Sequence, residues 1–196
     1  MEEGTMKKDN GKTLTKQIAI SGVMLAICIL SQFFKGISVY ITGPVVNLCL
    51  ILTVMIAGLK WGLVLSVITP VTAFIIAASP VMNAVPGIIP FIMLGNVVLV
   101  VMTYFFVKPT ITGDSRIINI RFIIWSVLSA AAKGAVMGLT ISLWLLPTFI
   151  QEASPLRQKL PVFQTMFSIT QFVTALIGFV YFFIVWIPLR KVADKE

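Results

Sequence analysis

Between Trp61 and Val107 the chain reads WGLVLSVITPVTAFIIAASPVMNAVPGIIPFIMLGNVVLVVMTYFFV, 47 residues without one charged side chain. A helix needs about 20 apolar residues to cross the hydrocarbon core of a bilayer, so this run is long enough for two crossings. Turn-forming residues interrupt it at Ser79-Pro80 and again near Pro86-Gly87. The run therefore predicts one membrane span at 61–79 and another at 87–107.

The rest of the 196-residue chain has the same character. Hydrophobic residues make up 58% and charged residues 11%, whereas a soluble domain has roughly 25% charged residues. This composition excludes an ordinary cytosolic enzyme, a disordered chain and a secreted disulfide scaffold. The apolar runs do not alternate with polar residues as barrel strands do. We therefore predict an all-α integral membrane protein with six transmembrane helices at about 17–34, 45–59, 61–79, 87–107, 122–147 and 162–188.

The distribution of positive charge predicts the orientation of these helices. With the N-terminus inside, eleven Lys and Arg residues lie on the cytoplasmic side and three on the outer side, as the positive-inside rule requires. This predicts a cytoplasmic N-terminal tail at 1–16, one six-helix domain at 17–189 and a cytoplasmic C-terminal tail at 190–196. The expected location is the plasma membrane of a bacterium. The basic residues are scattered over separate loops, which fits contact with membrane lipid and not with nucleic acid.

The sequence lacks the residues that most catalytic sites need. It contains no histidine, and all seven acidic residues fall in predicted tails or loops. A buried carboxylate pair, a histidine-bound metal or a base-activated serine cannot be assembled from such a set. No P-loop sequence occurs, so the chain is not expected to hydrolyse ATP. We predict no catalytic residue, no metal site and no cofactor, which leaves a binding, permeation or structural role.

Lys133 is the one charged residue inside a predicted span. It lies near the middle of the fifth span, where an ionisable group is costly and is by default a candidate for function. It could provide the counter-charge for a carboxylate or phosphate of a ligand. It could instead extend its long stem to the inner interface, or contact a partner subunit. Thr140 and Trp144 follow on the same helical face, and they indicate either a ligand pocket or a seam between helices.

Side-chain amides add further candidate binding residues. Gln164 and Gln171 share a face of the sixth span, and Asn96 lies about two and a half turns into the fourth. Buried amides in lipid need partners, so they face a polar pocket or bond to another helix. Asn83 lies in the outer hairpin, where a simple turn role is the main alternative. The predicted substrate-binding set is thus Asn83, Asn96, Lys133, Thr140, Trp144, Gln164 and Gln171.

Two sequence blocks resemble a known family. Gly58-Leu59-Lys60-Trp61-Gly62-Leu63, leading to Thr69-Pro70, and Ile89-Pro90-Phe91-Ile92-Met93-Leu94-Gly95-Asn96 are similar to the substrate-binding (S) components of energy-coupling factor (ECF) vitamin transporters. The resemblance implies a subunit that captures a vitamin or related micronutrient in an outward-facing pocket. This pocket is expected from the outer halves of helices four to six and from loops at about 35–44, 79–86 and 148–161.

The resemblance also implies partners. A transmembrane coupling subunit and two ATPase subunits supply energy in this family, and small residues in an AxxxA pattern on the first helix contact the coupling subunit. Here Ala19 is followed at the fourth position by Val23, so Gly22 and Ala26 complete the expected contact surface with Ala19. Two alternatives are a structural or assembly protein, whose polar residues would satisfy one another across helices, and an oligomeric facilitator without ATP coupling.

Overall fold

A computed structural model describes residues 2–36, 38–112 and 119–193, and these ranges contain helices and no strand. Eight α-helices are numbered here in chain order. They are α1 (Glu2–Gln32), α2 (Val39–Ile56), α3 (Leu59–Ala77), α4 (Pro80–Ala84), α5 (Ile88–Met102), α6 (Ile120–Met137), α7 (Leu160–Phe167) and α8 (Ile169–Ala193).

Two of these helices continue through π-helical turns. α5 passes through Thr103–Val107 into a short helix at Lys108–Thr112, and α6 passes through Gly138–Leu145 into Leu146–Phe149. A 3₁₀ turn at Pro155–Lys159 precedes α7. Because π-helical turns keep the backbone hydrogen-bonded, both helices extend without a break.

Six segments are long and apolar enough to cross a membrane, which confirms the predicted all-α architecture with six spans. They are Thr13–Gln32, Val39–Ile56, Leu59–Ala77, Ile88–Ile111, Ile120–Phe149 and Pro155–Leu189. The short second span is predicted to begin at position 45 or a little earlier, near Thr42, and in the structure it begins at Val39. Ser38 caps it, since its hydroxyl accepts a hydrogen bond from the Tyr40 amide at 3.1 Å. Pro44 lies inside this helix and does not start it.

The predicted tails fall partly within these helices. α1 begins at Glu2, so residues 2–16 extend the first span as helix. α8 continues to Ala193, and residues 194–196 of the predicted C-terminal tail lie outside the described residues. Because six consecutive spans joined by short connections alternate in direction, the start of α1 and the end of α8 lie at the same end of the bundle, called here the termini end.

α2 is the central helix, and it packs against α1, α3, α5 and α8. At the termini end the bundle is filled by an apolar cluster that includes Leu50, Leu99, Phe179 and Phe182. A second apolar cluster, which includes Val81, Ile141 and Phe163, joins α4, α6 and α7 at the opposite end. The hydrophobic residues thus pack both ends of the bundle, and they leave a gap beside α2 at the end away from the termini.

Candidate ligand-binding site

A cavity of about 500 Å³ occupies this gap. Its walls come from the end of α1 and the loop after it, the first half of α2, the second half of α3, and α4. The first nine residues of α5, Lys133 on α6, the end of α7 and the start of α8 complete them. Lys35, Ser79 and Met82 line its rim, and Asn47, Asn96 and Lys133 line its base. The cavity therefore reaches from the loops at one end of the bundle to mid-depth in the spans. This volume lies within the range of about 300–1,000 Å³ found for small-molecule sites.

The base of the cavity is a hydrogen-bonded group from three helices. The Nζ atom of Lys133 on α6 donates to Oδ1 of Asn47 on α2 at 2.6 Å and to Oδ1 of Asn96 on α5 at 2.8 Å. Lys133 is 3% exposed, and both asparagines are buried. A lysine ammonium has three N–H donors, so these two bonds leave one donor for another acceptor. The Lys133 side chain therefore ends inside the bundle.

Close helix packing brings these three residues together. A Cβ atom on Gly178 of α8 would lie 2.7 Å from Cβ of Asn47, and one on Gly95 of α5 would lie 2.5 Å from Cγ of Met137 and 3.8 Å from Cγ of Lys133. Contacts below 3.0 Å are too short for real side chains, so both positions need glycine for the helices to approach as they do. Gly95 therefore sets the distance between α5 and α6, which carry Asn96 and Lys133, and Gly178 sets the distance of α8 from α2, which carries Asn47.

A second polar group lies on the wall formed by α1 and α3. Nε2 of Gln32 donates to the carbonyl oxygen of Thr69 and to Oγ1 of Thr72, both at 3.1 Å. Nδ2 of Asn96 approaches Oγ1 of Thr69 at 3.5 Å. Thr69 thus links Gln32 to the group at the base. Oε1 of Gln32 is buried and has no hydrogen-bond partner, although buried acceptors are normally satisfied.

Lys35 adds a second cation at the rim. Its Nζ atom donates to the Ala77 carbonyl oxygen at 3.0 Å and lies 3.6 Å from Sδ of Met82. Burial lowers the pKa of the Lys35 ammonium, because partial removal from water disfavours the charged form. Among the described residues, no acidic side chain lines the cavity. Its lining therefore has two positive groups with no carboxylate to balance them.

Three of the seven predicted binding residues line the cavity: Asn96, Lys133 and Gln171. Gln171 lies at the start of α8, where its Nε2 atom donates to the Met166 carbonyl oxygen at 3.2 Å. The three come together because α6 packs against both α5 and α8. Whether they bind substrate stays a prediction.

The other four predicted binding residues lie outside this cavity. Asn83 is exposed on α4. Thr140 donates to the Val136 carbonyl oxygen of its own helix at 2.6 Å. Trp144 is 54% exposed and packs edge-on against Phe91. Gln164 is absent from the cavity lining as well.

Gln164 forms a reciprocal pair with Ser142. Nε2 of Gln164 donates to the Ser142 carbonyl oxygen at 2.9 Å, and Oγ of Ser142 donates to the Gln164 carbonyl oxygen at 2.8 Å. These bonds fasten α7 to the π-helical segment of α6. The Gln164 amide is thereby satisfied by another helix, which is the alternative that its sequence pattern had left open.

Asn47, Gln32 and Lys35 were not in the predicted set. An isolated amide such as Asn47, in the middle of an otherwise apolar span, is a signal for a buried polar contact. Gln32 and Lys35 lie at the end of the first span, where polar residues commonly face water. Their position in a cavity wall depends on the packing of α1 on α3, for which the sequence offered no signal.

The predicted partner-contact residues lie on the free face of α1. Ala19, Gly22 and Ala26 are all exposed, and no atom lies within 4 Å of a Cβ built on Gly22. Leu30 and Val23 on this face are exposed as well. Packing within the described chain therefore does not explain why these residues are small.

No protein-family model matches this chain, and neither a curated protein nor a solved structure matches it. The resemblance to S components accordingly rests on the two sequence blocks quoted above.

Proposed function

We propose that this protein is the substrate-binding component of an ECF-type importer. It captures a vitamin or related micronutrient in the cavity beside α2, and partner subunits drive uptake with ATP. The chain itself has no catalytic role. In this proposal the termini end faces the cytoplasm and the cavity opens outward, in accord with the distribution of Lys and Arg.

The observation that carries the proposal is a cavity that is open at one end and closed at mid-depth. Below Lys133, Asn47 and Asn96, the bundle is filled by the apolar cluster around Leu50 and Phe182. Buried hydroxyls in this half, such as those of Thr53 and Ser66, donate to carbonyl oxygens of their own helices. The described residues thus provide no continuous polar path through the membrane, which favours a capturing subunit over a facilitator.

A capturing subunit closed at its base needs a partner to release its cargo. The free face of α1 with Ala19, Gly22 and Ala26 is suited to close approach of another membrane helix. We assign this face to the transmembrane coupling subunit, which in turn would bind two ATPase subunits. The small size of these residues is consistent with this role because all three are exposed, and a Cβ on Gly22 would contact no other part of the described chain.

The proposal is tested by mass spectrometry of small molecules released when the detergent-purified protein is denatured. A stoichiometric micronutrient supports it. If none is released, a panel of vitamins is tested by thermal shift, since a ligand that binds only the folded state raises the unfolding temperature. Failure of the whole panel would overturn the proposal.

A structural or assembly role is the second candidate. It is favoured by polar side chains that satisfy one another between helices. Nζ of Lys133 donates to Oδ1 of Asn96, and Nε2 of Gln164 donates to the Ser142 carbonyl oxygen. Under this alternative the cavity holds only lipid or water. The same experiment separates the two functions, because a structural protein releases no stoichiometric micronutrient and shows no shift with the panel.

A further inference from the structure

We infer that the ligand of this cavity is an organic anion with a compact, mainly aliphatic body and an N–H or O–H donor. The inference rests on the proposed function, and it names the substrate class of the same site. Three properties of the lining carry it: its uncompensated positive charge, an unpaired buried acceptor, and the size and shape of its apolar side chains.

The charge of the lining selects an anion. Lys133 at the base and Lys35 at the rim both face the cavity, and no acidic side chain among the described residues lines it. The bonds from Lys133 to Asn47 and Asn96 go to neutral amide oxygens, which leave its positive charge uncompensated. A carboxylate or phosphate at the third N–H of Lys133 would form a charge-assisted hydrogen bond. A cationic ligand would be repelled.

The unpaired acceptor selects a ligand with a donor. Gln32 is 2% exposed, and its Oε1 atom has no partner although its Nε2 atom has two. Leaving a buried acceptor unsatisfied is costly, so an N–H or O–H of the ligand is the natural partner. Gln32 lines the same cavity as Lys133. The two are linked through Thr69, which contacts Gln32 by its carbonyl oxygen and Asn96 by its hydroxyl.

The apolar part of the lining selects an aliphatic body. Most of the wall consists of small or aliphatic residues, among them Gly43, Val46, Ala73, Ala77 and Ile92. Phe167 is the one aromatic residue among the described lining residues, and Trp144 lies outside. A large flat ring system is usually held by stacking between aromatic side chains. This wall has no such pair, so it suits a branched or saturated body.

The test uses the detergent-purified full chain and matched probes. Pantothenate and biotin are acids with N–H or O–H donors, pantothenol and biotinamide are their uncharged analogues, and lipoate is an acid without a donor. Binding is measured by isothermal titration calorimetry. We expect pantothenate or biotin to bind at least tenfold more tightly than its uncharged analogue. Lys133→Met reduces this preference, since only Lys35 remains as a cation, whereas Lys60→Met, at an exposed lysine outside the cavity, retains it in full.

A second variant tests the donor. Gln32→Leu is expected to weaken binding of the donor-bearing acid at least fivefold and to leave lipoate within twofold of its wild-type affinity. The ratio of the affinities for an acid and for its uncharged analogue is measured on the wild-type protein. It therefore tests the preference for an anion even if Lys133→Met does not fold.

Four results would overturn the inference. One is equal binding of an acid and its uncharged analogue, and another is equal effects of Gln32→Leu on biotin and lipoate. The third is binding of riboflavin or thiamine but of none of the acids, which rejects this substrate class and leaves the proposed importer function standing. Binding of no probe and no other vitamin rejects both.

Discussion

The Nζ atom of Lys133 lies 2.6 Å from Oδ1 of Asn47, and this contact joins the last turn of α6, near the middle of the fifth span, to the middle of the central helix α2. The two residues are 86 positions apart in the chain. A buried ammonium is costly unless its donors are satisfied, and here two amide oxygens satisfy two of the three. The pair thus holds a cation at the base of the cavity, and it leaves that cation able to bind one more acceptor.

Asn47→Leu tests this contact. The substitution removes one of the two acceptors of a buried ammonium while keeping a side chain of similar size. We expect it to destabilise the protein by about 1.5–3 kcal/mol, the range for hydrogen bonds to charged groups. Thermal unfolding in detergent provides the measurement. Asn83→Leu, an exposed asparagine on α4, is the matched control and is expected to unfold as the wild type does.

Gly178→Ala tests the close approach of α8 to α2. The added Cβ would lie 2.7 Å from Cβ of Asn47 and 3.3 Å from the Pro44 carbonyl oxygen, so the helices must separate. We expect a lower unfolding temperature, in keeping with a cost of about 1–3 kcal/mol for overpacking, and at least tenfold weaker ligand binding. The Cβ added by Gly22→Ala would have no atom within 4 Å outside the backbone of its own helix. We expect this variant to keep the unfolding temperature and the ligand affinity of the wild type. If the two variants have the same unfolding temperature and ligand affinity, close contact between α8 and α2 does not depend on Gly178.

The six spans and the buried Lys133 could be predicted because both depend on the local sequence alone. Long uncharged runs identify spans, and a charge within one is conspicuous. The partners of Lys133 could not be predicted, because they depend on which helices are neighbours. That choice depends in turn on where glycines such as Gly178 and Gly95 permit close contact. Trp144 shared a helical face with Lys133 in the sequence, but in the structure its ring packs outward against Phe91.

Two glutamines near the start of the sixth span are expected to differ in function. Gln171 lines the cavity, whereas Gln164 is bonded to Ser142 on another helix. Gln171→Leu should therefore weaken ligand binding severalfold at nearly unchanged stability. Gln164→Leu should lower stability by about 1 kcal/mol and leave affinity within twofold. Calorimetry and thermal unfolding on both variants provide the measurement, and the reverse pattern would place the ligand at Gln164.

The lowered pKa of Lys35 predicts a pH dependence. Burial disfavours its ammonium, so the charge is lost as pH rises through a folded-state pKa below that of the unfolded chain. Two effects of opposite sign follow: anion affinity falls toward alkaline pH, while the energetic cost of holding a buried charge is relieved and the ligand-free protein gains stability. Lys133 is the other titratable group that lines the cavity. Variants of Lys35 keep Lys133, so a difference between their pH profiles and that of the wild type arises from position 35.

These effects are measured as binding affinity and unfolding temperature between pH 7 and pH 10. Lys35→Arg keeps a cation that does not titrate in this range, so its affinity should fall less steeply than that of the wild type. Lys35→Met removes the charge, and its stability should show a weaker rise with pH. Identical pH profiles for all three proteins would show that Lys35 has no part in either effect.

The free face of α1 predicts where a coupling subunit binds. Ala26→Leu places a bulky side chain on the surface formed with Ala19 and Gly22, so close approach of another helix is blocked. We expect loss of the partner complex in co-purification from cells that express all subunits, with ligand affinity unchanged because the α1 face lies outside the cavity. Ala135→Leu makes the same change on the exposed side of α6 and should leave the complex intact. If Ala135→Leu alone dissociates the partner, the docking face lies on α6 and the small residues of α1 have another role.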